Sequence, residues 1–259
     1  SPADVFGTPD DKTPLVGLTG GEGVEVFDVS SGTPRKLRTL PTAYFEAKIL
    51  REVSLSEFKG AVVPEGTEQA VLDALAAAGV TLLDCPVSGT GTQAAKGDLV
   101  FFASGEKAAY ERLRPALLAM GRVAHHLGAF GNGSRMKYVA NLLVAIHNVS
   151  AAEALLFGKK LGLAPKKVVE VVADGAGGSR MFQVRGPMMA ARTWHQATMK
   201  NEVWQKDMTL IHDALHELSL PAPLFAACIP IYHAAMSQGH QLHDTAAVYA
   251  VLEKFAGET

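Results

Sequence analysis

The sequence predicts an α/β unit built on a mostly parallel sheet, followed by an all-helical half. Three observations carry this reading. Up to about residue 132, short β-branched or apolar runs bounded by Gly, Pro, Asp or Ser are mixed with helical stretches. From Gly133 onward the β signal disappears and long proline-poor, amphipathic segments take over. Between the two lies Phe130-Gly131-Asn132-Gly133, which reads as a hinge and divides the chain into residues 1–132 and 133–259.

The elements follow in order. Leu15–Leu18, Val24–Phe27, Val80–Leu83 and Leu99–Phe102 are the expected strands. Thr67–Ala78 is alanine-rich, amphipathic and stopped by Gly79, which predicts a helix running through a tight turn into the third strand. Such alternation favours parallel pairing. Ser134–Leu161 has no proline and no glycine before Gly158, so a helix of roughly 40 Å is expected. Shorter helices are expected at 165–174, near 181–191, and at 201–218, 222–238 and 243–256, the last behind Asp244 and Thr245.

Composition narrows the classes. With 259 residues, 48% hydrophobic and 19% charged, the chain has the apolar mass of a globular protein rather than a disordered or fibrous one. Its 24 Lys+Arg against 26 Asp+Glu give a net charge of −2, no basic excess to hold nucleic acid. No apolar run approaches the roughly 18–20 residues of a membrane span; Leu224–Tyr232 is about half that and contains Pro230. Cys85 and Cys228 are too few for a disulfide framework or a thiolate metal site, which suits a cytoplasmic protein, and no signal-like segment follows Ser1-Pro2.

Two patterns could carry chemistry. Asp84-Cys85-Pro86-Val87-Ser88-Gly89-Thr90-Gly91 follows a predicted strand, and a Gly/Ser/Thr turn at a strand's carboxyl end offers N–H groups and hydroxyls to a carboxylate or phosphate. On the long helix, steps of four, three and four place Lys137, Asn141, Val144 and Asn148 on one stripe, flanked by Met136, Val139, Leu143 and Ile146. An ammonium and an amide there can reach one small polar ligand together; an ordinary solvated face with a snorkelling lysine fits the same spacing. Lys206-Asp207 and the loop Asp174–Arg180 are weaker candidates. His212 and His216 stand four apart without the glutamate of the zinc-protease pattern, and His125-His126 and His240/His243 lack clustered partners in the sequence, so no metal site is expected.

Together the patterns resemble the β-hydroxyacid dehydrogenase family. Asp84–Gly89 (DCPVSG) is similar to its substrate-binding segment and Gly131–Asn141 (GNGSRMKYVAN) to its catalytic segment. Lys206-Asp207-Met208 is similar to its Lys-Asp-Leu segment at the cofactor, and Leu40-Pro41-Thr42 to the Leu-Pro pair near the nicotinamide ribose. The resemblance implies a Rossmann-type dinucleotide-binding domain, a long inter-domain helix and an all-α substrate and dimerisation domain. It implies Lys137 as general acid/base, with Ser88 and Gly89 on the substrate carboxylate and Asn141 beside Lys137. Thr90 would tune the substrate, and Leu40, Pro41 and Lys206 would meet the cofactor. It further implies NAD or NADP as cofactor, a small 3-hydroxy acid or its semialdehyde as substrate, and a homodimer or homotetramer, with neither nucleic acid nor membrane as partner.

The first half departs from the pattern. A dinucleotide fold needs G-x-G-x-x-G and a helix N-terminus after its first strand. Here Leu15–Gly20 runs through Gly20–Gly23 straight into Val24–Val29, with no residues for that helix. The half is short by about one βαβ unit of ~30 residues. Either a segment supplying the phosphate cradle is missing from this sequence, or the chain is a cofactor-incompetent relative acting as a binding or scaffold protein. If the cradle exists, Asp28 at the end of the second strand slightly favours NAD, whereas Arg35 and Lys36 would suit NADP.

Overall fold

The computed structural model describes residues 4–6, 15–20, 23–28 and 35–40 as strands, and residues 81–258 throughout. Two compact units divide it, Ser1–Ser134 and Arg135–Thr259.

The first unit opens with β1 (Asp4–Phe6), β2 (Leu15–Gly20), β3 (Gly23–Asp28) and β4 (Arg35–Leu40), neighbours in sequence order and all antiparallel. β2 and β3 form a hairpin registered from Leu15↔Asp28 to Gly20↔Gly23. This corrects the expectation of mostly parallel pairing for these strands. Only Gly21 and Glu22 separate the strands, whereas a parallel pair needs a crossover of about a dozen residues or more. Asp28, expected at a ribose, sits opposite Leu15 at the open end of the hairpin, and Leu40 pairs with Val24. Pro41 and the expected helix Thr67–Ala78 lie outside the described residues.

The second sheet holds β5 (Leu83–Asp84), β6 (Val87–Ser88), β7 (Leu99–Gly105) and β8 (Gly121–His126). β7 pairs antiparallel with both β5 and β6 and parallel with β8. The short helix α1 (Gly91–Ala94) leads into β7, and α2 (Lys107–Met120) makes the crossover from β7 to β8. Parallel pairing is thus confined to this βαβ unit among the described strands. Leu83, Ala103, Ala109 and Tyr110 form its core, and the Tyr110 hydroxyl donates to the Ala124 carbonyl at 2.8 Å, tying α2 to β8.

The second unit is helical. α3 (Asn132–Lys160) begins at the last residues of the first unit and runs 29 residues. It ends where Gly162 takes a left-handed φ of 86°, as helix C-termini favour. α4 (Pro165–Ala173) starts on a proline suited to its first turn. α5 (Arg180–Ala191) is capped by Ser179, whose Oγ accepts from the Phe182 N–H at 3.0 Å. α6 (Asn201–Glu217), α7 (Pro223–Ser237), a 3₁₀ turn (Thr245–Ala247) and α8 (Val248–Phe255) complete it. Their core is centred on Leu155, Met189, Ile211, Phe225, Tyr232 and Val248.

α3 has the length and hydropathy of a membrane span, with one window of mean hydropathy 1.5. Its buried residues include Asn141 and Asn148, and Ala145, Val149, Ala152 and Leu155 belong to the unit's core, the place of a core helix. The polar stripe faces in, while the flanking Met136, Val139 and Leu143 are exposed.

Candidate functional site

Asp84 ends β5, and both its oxygens are used. Oδ2 accepts from the Ser104 hydroxyl at 2.9 Å and the Ser134 N–H at 2.8 Å; Oδ1 accepts from the Ser134 hydroxyl at 2.7 Å. The Gly133 N–H donates to Ser104 Oγ at 2.9 Å. The carboxylate therefore caps the first turn of α3, where free N–H groups and the helix dipole favour negative charge. Gly133 has no substitute here: a Cβ would lie 2.2 Å from the Phe102 carbonyl oxygen. Lys137 follows Ser134 by three residues along the helix.

The turn at the end of β6 holds the expected carboxylate ligands together. Ser88 ends β6 opposite Val100. Gly89 adopts a φ of 142°, and a Cβ there would meet Leu99 Cδ2 at 2.6 Å. The Thr90 N–H and hydroxyl both donate to Gln93 Oε1, at 3.0 and 3.4 Å, so Thr90 shapes the turn as well as lining it. Burial, followed by the nearby Asp84 charge, pushes the Cys85 thiol up to about 11. That keeps it protonated and unreactive at neutral pH.

On α3, Asn141 is 6% exposed, and its amide Nδ2 donates to Asp207 Oδ1 at 2.9 Å. This bond fixes the side-chain amide of Asn141, and the half-buried Lys137 precedes it by one helical turn. Lys206, the expected cofactor residue, is exposed on α6, so it is the adjacent Asp207 that turns inward. Asn148, two turns beyond Asn141 and fully buried, donates to the Tyr232 hydroxyl at 3.1 Å and the Thr245 carbonyl at 2.9 Å; it supports the core.

The structure adds two clusters that the sequence pattern did not reveal. Asp244 is fully buried and receives Arg185 Nε at 3.0 Å, the Thr198 N–H and hydroxyl, and the N–H groups of Met199 and Ala246. Burial alone would raise its pKa, but the Arg185 guanidinium and the three N–H groups hold it below the usual carboxylate range. His240 and His243, which lack clustered partners in the sequence, are joined by His195 from 45 residues upstream: His243 Nε2 lies 3.0 Å from His195 Nδ1, and His243 Nδ1 lies 2.9 Å from His240 Nδ1.

With this geometry in hand, residues 59–128 match the family model described as the NAD binding domain of 6-phosphogluconate dehydrogenase. Residues 131–252 match that described as the NAD-binding domain of NADP-dependent 3-hydroxyisobutyrate dehydrogenase. Residues 59–252 belong to the β-hydroxyacid dehydrogenase family. Glyoxylate/succinic semialdehyde reductase 2 of Arabidopsis thaliana is 36% identical over 68% of this chain and 49% of its own length. L-threonate dehydrogenase of Cupriavidus necator is 32% identical over 74% and 64%. A crystal structure of 3-hydroxyisobutyrate dehydrogenase from Salmonella typhimurium superposes with a TM-score of 0.65 at 30% identity, covering 71% of this chain and 64% of that one. The Mycobacterium tuberculosis 3-hydroxyisobutyrate dehydrogenase, solved with L-serine, gives 0.62 at 28%, covering 71% and 65%. The chain thus spans between about half and two thirds of the length of these family members. Residues 1–57 match a different model, a YNCE-like beta-propeller. An antiparallel four-stranded meander is the form of a propeller blade, which accounts for the first half reading short as a dinucleotide fold.

Proposed function

We propose that this chain acts on a small 3-hydroxy acid or its semialdehyde, with Lys137 as general acid/base. The observation that carries the reading is the Asn141–Asp207 bond one turn from Lys137, within the segment that matches the hydroxyacid dehydrogenase model. In oxidation, Lys137 as the neutral amine accepts the substrate hydroxyl proton at Nζ; in reduction, its ammonium returns a proton to the carbonyl oxygen. With Nδ2 given to Asp207, the Asn141 carbonyl oxygen is left to accept from the substrate hydroxyl or from Lys137. Ser88, Gly89 and Thr90 would hold the carboxylate in the turn after β6. The relatives' printed names, dehydrogenases and reductases of small hydroxy acids and semialdehydes, support this class and lend none to a scaffold role.

The hydride carrier implied is NAD or NADP, which when bound would accept hydride from the hydroxyl-bearing carbon in oxidation or supply it to the carbonyl carbon in reduction. Lys206, exposed beside Asp207, is the helical-unit residue that would meet the cofactor. The pyrophosphate side does not fit: the β2–β3 hairpin leaves no helix N-terminus at Gly20–Gly23, and no step is assigned to that region. A homodimer or homotetramer in the cytoplasm completes the reading, supported by the exposed apolar residues Phe157, Leu218, Leu220 and Leu224 of the helical unit.

The test is turnover of a panel of 3-hydroxy acids with NAD and NADP by the wild type and by Lys137→Ala. Loss of a general acid/base predicts a fall in kcat of about 10²–10⁴; unchanged turnover by the variant would remove Lys137 from the mechanism.

A further inference from the structure

The three imidazoles of the helical unit lie away from Lys137 and Asn141 in sequence and are used by no step above. His195 belongs to the connection between α5 and α6; His240 and His243 belong to the connection between α7 and the 3₁₀ turn. The rings of His195 and His243 meet edge to face with centroids 4.4 Å apart, and those of His240 and His243 lie 5.1 Å apart. They do not converge on a point where one cation could sit, because His243 faces one neighbour with Nε2 and the other with Nδ1.

A chain of this kind has simple proton arithmetic. With all three rings neutral, His243 donates through one nitrogen and accepts through the other, so both bonds form. With one proton added, His243 as imidazolium donates to both neighbours, and both bonds survive. A second proton puts a positive ring against a positive ring and removes an acceptor.

We propose that His195, His240 and His243 form a proton-operated clasp, closed with no proton or one, opened by the second, and holding the loop that starts α6. The same two connections are joined around the clasp. Asn201, the first residue of α6, donates through Nδ2 to the carbonyls of His240 and His243, and the Asp244 N–H donates to the Trp194 carbonyl at 2.8 Å. The surroundings do not offset an added proton. Lys254 of α8 acts on His240 as a further positive charge, and Arg192 lines the same recess. Glu253 and Glu258, also in that recess, are engaged by Lys159, with Arg192 on Glu253 and Lys160 on Glu258. From the start of α6, Lys200 faces Glu202 at 3.6 Å, and the Asp244 carboxylate is turned to Arg185. Burial first, then the neighbouring imidazoles, hold His240 and His243 below the ordinary imidazole value. The sign follows: the folded state binds protons less readily than the unfolded chain. The clasp's stability is therefore complete above the ordinary imidazole range and is lost as pH falls through the lowered values.

Hydrogen exchange on the full chain at about pH 7.5 and pH 5, with intrinsic rates divided out, tests this at the Thr198, Met199 and Ala246 amides. The wild type should lose about tenfold or more of its protection at the lower pH, and His243→Gln, which cannot take the proton, should lose much less. Equal protection of the wild type at both pH values, or an identical loss in His243→Gln, would overturn the clasp. Ring-proton NMR of the wild type needs no variant: His240 and His243 should titrate as a coupled pair below the ordinary imidazole value, and two independent titrations at the ordinary value would refute it.

Discussion

Asp84 and Asp244 serve one architectural role in two units under different conditions. Each gathers a hydroxyl and at least one backbone N–H from the start of a neighbouring segment: Ser134 for Asp84, Thr198 and Met199 for Asp244. Asp244 is fully buried and carries Arg185 as counter-charge, without which the cost of removing its charge from water would dominate. Asp84 is half-buried and is satisfied among the described residues by serine hydroxyls and an amide. A half-buried carboxylate can rely on water for the rest; one in a core cannot.

The contrast predicts unequal effects. Asp244→Ala leaves Arg185 buried and unpaired and should cost about 3–5 kcal/mol in chemical denaturation. Because the Asp244 carboxyl is held low when folded, the wild type's advantage over this variant should persist at neutral pH and fade only as pH drops below the ordinary carboxylate range. Asp84→Ala should cost less, about 1–3 kcal/mol, through the lost helix cap and charged hydrogen bonds. Equal costs for the two would mean that burial does not separate them.

Much of this was legible in the sequence. The long helix, expected over 134–161, forms over 132–160 because no proline interrupts it and glycines flank its ends. The loop Asp84–Gly89 was legible because its glycine and hydroxyl residues answer to strict local geometry at Gly89. Strand direction was not: Leu15–Gly20 and Gly23–Asp28 are apolar runs in either arrangement, and the two-residue gap at Gly21-Glu22 was the signal of a hairpin. The burial of Asn141 and Asn148 ran against residue polarity, since their partners Asp207, Tyr232 and Thr245 come from distant helices and turns. The imidazole clasp joins His195 to His240 and His243, 45 and 48 residues further along the chain, a separation at which spacing carries no information.

The most direct test of the hydroxyacid dehydrogenase reading is a fluorescence titration of the purified chain with NADH, repeated with NADPH. Saturable micromolar binding of either is the predicted result, and it would show that residues outside the β2–β3 hairpin hold a nicotinamide cofactor. Absence of binding to both would contradict the account.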